Sequence, residues 1–321
     1  MWRYILKRLL YVIPIVLFCT LVVFLIMNIK PGDPGRIILG FDATQEAVDA
    51  YNHALGLDRP VLVRYVDYIF HLVQGDWGNS YMGGKAIWPQ IRAFFPNTLK
   101  LSVLALVCSV IVGVPLGVLS AVKQYSLIDR LSSVVAMILA CIPSFWLCLL
   151  LMMLFAVKLK WLPAYGLSSW KDYILPVFAL SANAIGTNIR LTRSTMLEEI
   201  RKDYVRTARS KGAKERTVIY GHALMNSLIP VVTSLGYKFT LQMGGAVFVE
   251  SVFAIPGIGK LVIGGITNND TPMVVGCVVL ISICSVIINL MVDLVYAFLD
   301  PRIKGKYLSS GKKKKAEVKA A

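Results

Sequence analysis

Apolar runs of membrane-crossing length recur along the chain, divided by shorter polar segments. The first, Leu9 to Ile29, has 21 uncharged residues, and a helix needs about 20 to span a bilayer. Five more follow: Thr98 to Val122, Leu131 to Val157 with an interruption at Pro143, Tyr173 to about Leu191, Ser227 to Phe253, and Met273 to Leu299. The pattern predicts an all-α, polytopic membrane protein with six transmembrane helices. In the sixth, sixteen Val, Ile, Leu and Phe residues favour insertion by about −5 to −10 kcal/mol, against at most about +3 kcal/mol for Asp293. Gly113-x-x-x-Gly117 in the second span predicts close packing against a neighbouring helix.

The polar segments divide the chain into an N-terminal end and first helix (1–29), a long loop (30–97), helices two to six with a charged loop at 194–226 (98–299), and a basic tail (300–321). Pro31-Gly32-Asp33-Pro34-Gly35 is a helix stop. Asp42-Ala43-Thr44-Gln45 has capping-box spacing and Gly56 is a C-terminal signal, so a helix near 43–55 is expected. Pro60 is placed to open another helix, ending near Gly75. With Tyr51, Leu55, Leu57, Tyr65, Tyr68, Ile69, Phe70 and Trp77 to bury, this loop reads as a small helical extracytoplasmic domain. Ala254 to Pro272 reads as a Gly-rich loop.

Only 16% of the 321 residues are charged and 56% are hydrophobic, whereas a soluble domain carries about 25% charge. The net charge of +16 does not indicate nucleic acid, because the basic residues lie beside apolar spans, where topology places them. With the N-terminus inside, the cytoplasmic segments carry 22 Lys/Arg and the outer ones 10, so the 194–226 loop faces the cytoplasm. The six cysteines all lie in apolar runs and read as small buried hydrophobes. His53, His71 and His222 are far apart and suggest no metal or acid–base cluster.

Nucleotide chemistry is expected elsewhere. Gly257-Ile258-Gly259-Lys260 has the end of a phosphate loop, yet Ala254 and Leu261 stand where Gly and Ser/Thr are required. With neither a nucleophile motif nor paired carboxylates, the chain reads as a transport component and not an enzyme. Active transport would then draw on another subunit or an ion gradient. An ion-coupled secondary transporter predicts repeated halves and ion-binding acids at mid-membrane; no internal repeat and few central acids are present.

Seven Lys/Arg and four acids fall between Glu198 and Arg216. Asp203 to Ala213 reads as a short helix ended by Gly212, with Leu197, Ile200, Tyr204 and Ala208 as its apolar stripe. Mixed charge and a defined turn suit a protein partner better than anionic headgroups.

Here the sequence resembles ABC importer permeases. Thr207-Ala208, Gly212 and Ile229-Pro230 resemble their "EAA" loop, in the form used by the dipeptide/oligopeptide/nickel class. Other landmarks agree in order: Leu55-Gly56-Leu57-Asp58, Gly75-Asp76-Trp77-Gly78, Ile142-Pro143-Ser144-Phe145-Trp146, Leu191-Thr192-Arg193-Ser194, Glu250-Ser251-Val252-Phe253 with Pro256-Gly257-Ile258-Gly259, and Asp300-Pro301-Arg302. The long first loop resembles that of the "B" permease. Two departures stand out: Arg206 replaces the motif's Glu, and the Gly212-to-Pro230 spacing is long.

The resemblance implies a type I importer fold in a bacterial or archaeal cytoplasmic membrane, with both termini cytoplasmic. It implies a second homologous permease subunit, two ABC ATPases that bind the ATP and magnesium, an extracytoplasmic substrate-binding protein, and surrounding membrane lipid. No cofactor is expected in this chain. Asp203, Tyr204, Arg206, Thr207, Ala208, Arg209, Lys211, Gly212 and Ala213 would form the coupling helix docked on an ATPase. The expected cargo is di- or oligopeptides, with nickel chelates or glutathione as alternatives in the same complex type. Asn183, Asn188 and Gln242 are candidates to line the pathway or to hydrogen-bond between helices. Glu250 is a candidate for the pathway or for capping the Gly-rich loop.

Overall fold

The computed structural model describes residues 2–30, 32–40 and 42–299; the side chains of 2–9, 11, 12, 293 and 295–299 also lie outside the described set. The basic tail, Pro31 and the side chains of Arg3, Lys7 and Arg8 therefore fall outside it. Helix α1 covers Trp2–Ile29, α2 Pro34–Leu39, α3 Gln45–Ala54, α4 Val61–Val73 and α5 Ile87–Val122. Helices α6 (Leu127–Cys141) and α7 (Ser144–Leu151) follow, then a π-helical turn at Met152–Lys158. A 3-10 turn at Trp170–Tyr173 leads into α8 (Ile174–Ile200), and α9 covers Asp203–Ser210. Helix α10 (Glu215–Thr217) continues through a π turn, Val218–Ala223, into α11 (Leu224–Val252); α12 covers Ile258–Thr267 and α13 Thr271–Leu299.

Among the described residues, four helical stretches are long and apolar enough to cross a membrane: Ile87–Val122, Trp170–Ile200, Glu215–Val252 and Thr271–Val292. The bent pair α6 and α7, broken at Ile142-Pro143, adds a fifth. Helix α1 is 28 residues long and carries the apolar stretch Ile13–Ile29. Each of the six apolar runs thus falls on helix.

Three local expectations are corrected. The cap of α3 is Thr44, whose hydroxyl accepts from Ala47 N at 3.4 Å, in place of Asp42. Helix α5 begins at Ile87 and not Thr98, passing through Pro89 and Pro96. Packing overrides the break signal there: Ile87 and Ile91 are fully buried against Ile258, Met273 and Cys277. The segment after α11 contains α12, whose apolar residues pack in the same cluster.

Two compact units divide the chain. The first comprises residues 1–104, 143–180 and 242–286. It holds α1 to α4, and its loops are tied to the start of α13. Asp270 accepts from Tyr81 N at 3.2 Å and from the Ser80 hydroxyl, while Asn269 donates to Gly32 O at 2.8 Å. Exposed Trp161, Tyr165 and Trp170 match interfacial anchoring, and Lys100 lies 4.2 Å over the ring of Tyr173.

Among the described residues, the second unit comprises 105–142, 181–241 and 287–299. A Cβ on Gly113 would stand 2.6 Å from Asn188 Cβ, and one on Gly117 2.6 Å from Thr192 Cβ. The Gly113-x-x-x-Gly117 face of α5 therefore packs on α8, as the pattern predicts. Ala136, Ile185 and Ile189 fill the space between α5, α6 and α8.

Candidate functional site: a short polar helix on an apolar base

Helix α8 ends at Ile200, and two turn residues separate it from α9. That break resets the helical phase. The residue α9 buries is Val205, fully enclosed, while Tyr204 is exposed at 38%. The apolar stripe thus runs through Leu197, Ile200, Val205 and Ala208, with Val205 replacing the expected Tyr204. These residues pack with Val118, Ala121, Met196, Val218, Ile219 and Ala223. A helix of eight residues is too short to persist alone in water, so this base is what holds α9 in shape.

Its start is fixed by side chains. Tyr204 donates to Glu199 Oε2 at 2.6 Å and accepts from Asn226 Nδ2 at 3.1 Å. Lys202 donates to Glu199 Oε1 at 2.6 Å. That hydrogen bond raises the Lys202 pKa, and burial, then Glu199, raises that of Tyr204.

Its end is a Schellman turn. Gly212 N donates to Arg209 O at 2.9 Å and Ala213 N to Ala208 O at 3.3 Å. Gly212 has φ +78°, which L-residues with a Cβ adopt at a cost. Ala208 and Ala213 both touch the apolar base, supplying the contact that accompanies this turn. Arg209 then clamps Glu215 through Nε at 3.1 Å and Nη2 at 2.7 Å.

What α9 leaves open is a polar surface. Asp203, Tyr204, Arg206, Thr207, Arg209, Lys211 and Gly212 are exposed. The helix therefore presents a shaped, mixed-charge knob, with nothing within 4 Å of the position a Gly212 Cβ would take.

The remaining candidates fall two in each unit. In the second unit, Asn188 is fully buried; its amide nitrogen donates to Ser109 O at 3.0 Å and Ser109 Oγ at 3.2 Å. Its oxygen accepts from the buried ammonium of Lys238. Asn183 is exposed and donates to Ala140 O at 2.7 Å. Asn183 and Asn188 thus both hydrogen-bond between helices.

In the first unit, Gln242 is buried with neither side-chain polar atom bonded among the described residues. Glu250 is fully buried and accepts from the Thr98 hydroxyl at 2.5 Å and Gly259 N at 2.7 Å. Thr98 in turn accepts from Ile258 N at 2.7 Å. Glu250 and Thr98 together satisfy the first N–H groups of α12, so the capping alternative describes its contacts.

Sequence reasoning missed Asp129. It is the only acid between Asp76 and Asp172, and it is buried in a clasp with Arg193, Ser120 and Tyr125 N. Its isolation and the Ser126-x-x-Asp129 capping spacing were the available signals.

The structure is thus a helical, multi-pass membrane chain that carries a short polar helix on a rigid apolar base. Comparison with known proteins makes the class specific. The chain belongs to the family described as "binding-protein-dependent transport system inner membrane component", matched over residues 113–305, with the N-terminal companion model matched over 1–102. It is 39% identical to the glutathione transport system permease protein GsiC of Salmonella typhimurium strain LT2 over 306 residues, covering 95% of this chain and 100% of that protein. GsiC of Escherichia coli K12 is 38% identical over the same length and coverage. Among solved structures, the inward-facing MetNI methionine ABC transporter matches with TM-score 0.56 and 19% identity, covering 65% of this chain and 96% of that one. The chain is a multi-pass inner-membrane permease subunit of an ABC importer, with the type I permease fold.

Proposed function

We propose that this permease carries short peptides, glutathione among them, into the cytoplasm, and that α9 couples that movement to ATP hydrolysis in partner subunits. The observation that carries the coupling role is the construction of α9. An eight-residue helix is anchored by Val205, closed by a Schellman turn at Gly212, and exposes Arg206, Thr207, Lys211 and Gly212. Rigid mounting lets a docked ATPase move the helices beneath it instead of deforming a loop.

The assembly in this reading holds a second homologous permease, two ABC ATPases and an extracytoplasmic binding protein. ATP and magnesium bind the ATPases, and this chain has no catalytic residue. Positive-inside charge puts α9 and both termini in the cytoplasm. Glutathione is a tripeptide, so the name carried by the 39% identical relative falls inside the peptide class.

The test is the purified complex carrying Gly212→Val in proteoliposomes. Substrate-stimulated ATPase and uptake of labelled glutathione or dipeptide should both be lost while assembly persists. Wild-type stimulated ATPase would refute the coupling role. Retained coupling with no uptake of any peptide by the unsubstituted complex would refute the cargo.

A further inference from the structure

Helix α4 has three faces: one apolar and packed, one polar and partly covered, and one apolar and open. Val61, Tyr65, Tyr68, Ile69 and Leu72 pack with Phe24 of α1 and with Val275 and Val279 of α13. Arg64, Asp67 and His71 form a polar stripe. Leu62, Val63, Val66, Phe70 and Val73 are between 43% and 82% exposed. At 3.6 residues per turn the three sets occupy separate sectors, each roughly 60–100° wide. A helix in a water-exposed loop domain has no reason to keep two apolar faces.

Hydrogen bonds to α1 give the depth of α4. The Tyr65 hydroxyl donates to Leu17 O at 2.7 Å and lies 3.0 Å from Thr20 Oγ1. Leu17 lies 12 residues before Ile29, the end of α1, or about 18 Å along the helix. That is more than half of a hydrocarbon core about 30 Å thick. Arg64 reaches the other way, donating from Nη1 to Asn28 Oδ1 at 2.9 Å. The α4 backbone at Arg64-Tyr65 therefore sits between the levels of Leu17 and Asn28. At the same levels α1 exposes Phe18, Val22, Ile26 and Ile29, on the side turned away from Thr20, Phe24 and Asn28.

We propose that α4 is an interfacial membrane helix, with acyl chains of the adjoining leaflet covering Leu62, Val66, Phe70 and Val73. The polar stripe of Arg64, Asp67 and His71 faces headgroups and water, and Tyr65 reaches toward the bilayer centre between α1 and α13. This is the arrangement expected of a helix lying in the interface plane. The occupant is lipid, and not a second protein, because the exposed face of α4 lies at the depth where the spanning helix α1 also exposes apolar residues. The segment expected to be a purely extracytoplasmic domain thus holds a membrane-seated element. The placement holds whichever side of the membrane that end of α1 faces.

The test is site-directed spin labelling of the full transporter in phosphatidylethanolamine/phosphatidylglycerol nanodiscs. Leu62→Cys, Val66→Cys, Phe70→Cys and Val73→Cys are labelled one at a time, with Asp67→Cys and His71→Cys as the polar set. Signal from the six native cysteines is subtracted using the unsubstituted protein. Collision with oxygen, which partitions into acyl chains, is compared with collision with water-soluble chromium oxalate. The apolar set should favour oxygen by at least several-fold and the polar set chromium oxalate. Chromium oxalate access at both sets would overturn the proposal in favour of an aqueous loop. Shielding of the apolar set from both reagents would overturn it in favour of a protein partner. Labels at Phe18→Cys and Ile26→Cys on α1 separate these outcomes from failure of the membrane-spanning reading itself. Four independent positions keep the result decisive if one variant does not assemble.

Discussion

Arg193 holds the carboxylate of Asp129 with two hydrogen bonds, Nε to Oδ1 at 2.6 Å and Nη2 to Oδ2 at 2.9 Å. Ser120 donates to Oδ1 at 2.5 Å and Tyr125 N to Oδ2 at 2.9 Å, so every lone-pair direction of a buried acid is used. The clasp joins α6 to α8 three residues before Met196, which packs on the base beneath α9. Removing one partner of such a pair strands the other, which costs about 3–5 kcal/mol when both are buried. Arg193 keeps 28% of its side chain exposed, so Asp129→Ala should cost about 3 kcal/mol, the lower end of that range. Thermal unfolding of the purified complex reads this. Replacing both residues with apolar ones of similar size should recover more than half of the loss, whereas a purely additive double variant would show that the clasp is not a coupled pair.

Gly113 and Gly117 bring the backbone of α8 within reach of α5. A Cβ at Gly113 would lie 3.1 Å from Ile185 O, and one at Gly117 2.8 Å from Ile189 O. Backbone cannot step aside as a side-chain end does, so the helices must separate. Gly113→Ala and Gly117→Ala should each cost about 1–3 kcal/mol, the usual range for an overpacked contact. The separation would also draw Asn188 off Ser109 and loosen its hold on Lys238. Melting curves of the single variants check the cost. A neutral Gly117→Ala would mean that the two helices pack less closely than their contacts indicate.

Six apolar runs, the Gly113-x-x-x-Gly117 contact and the helix ended by Gly212 could be read from the chain because each depends on local periodicity or on one special backbone position. What stayed hidden depends on packing at a distance. Thr98 and Glu250 are 152 residues apart, and nothing in either neighbourhood signals that together they cap α12. Val205 was missed because two turn residues after Ile200 shift the helical phase. Helix α5 runs through Pro96 because Ile87 and Ile91 have a buried site to fill, which propensity cannot see. In α4, Phe70 counted among the residues to bury, yet it stands 64% exposed, since hydropathy alone does not say which apolar side chains a neighbour covers.

Glu250 is fully buried among Thr98, Gly257 and Gly259, and α12 begins on its carboxylate. Glu250→Ala leaves Gly259 N without its acceptor and the Thr98 hydroxyl without its own, at about 1–3 kcal/mol for each stranded group. The expected result is a frayed α12 start, read as faster proteolysis or hydrogen exchange at Gly257 to Lys260, with transport reduced in step. Glu250→Gln keeps the shape and one acceptor oxygen for Gly259 N, and its amide can donate to the Thr98 hydroxyl, so it should retain most of the protection. If Glu250→Gln instead abolished transport with exchange unchanged, the charge itself would be required, and capping would not be its whole role.

Arg209 and Gly212 separate two ways in which α9 can fail. The Arg209–Glu215 pair is exposed on both sides and should be worth at most about 1 kcal/mol. Arg209→Ala should therefore leave the melting temperature within error, and any loss of stimulated ATPase would be a loss of partner contact. Gly212 fails through its backbone, because φ +78° disfavours a Cβ-bearing residue by about 1–2 kcal/mol. Asn adopts this left-handed conformation more readily than other such residues. Nothing stands within 4 Å of the missing Cβ, so in this chain the constraint is conformational. Gly212→Asn should then keep a substantial fraction of substrate-stimulated ATPase while Gly212→Val loses it. Equal loss in both variants would show that the docked partner needs the space over Gly212 empty, and that close approach governs this position instead of the turn.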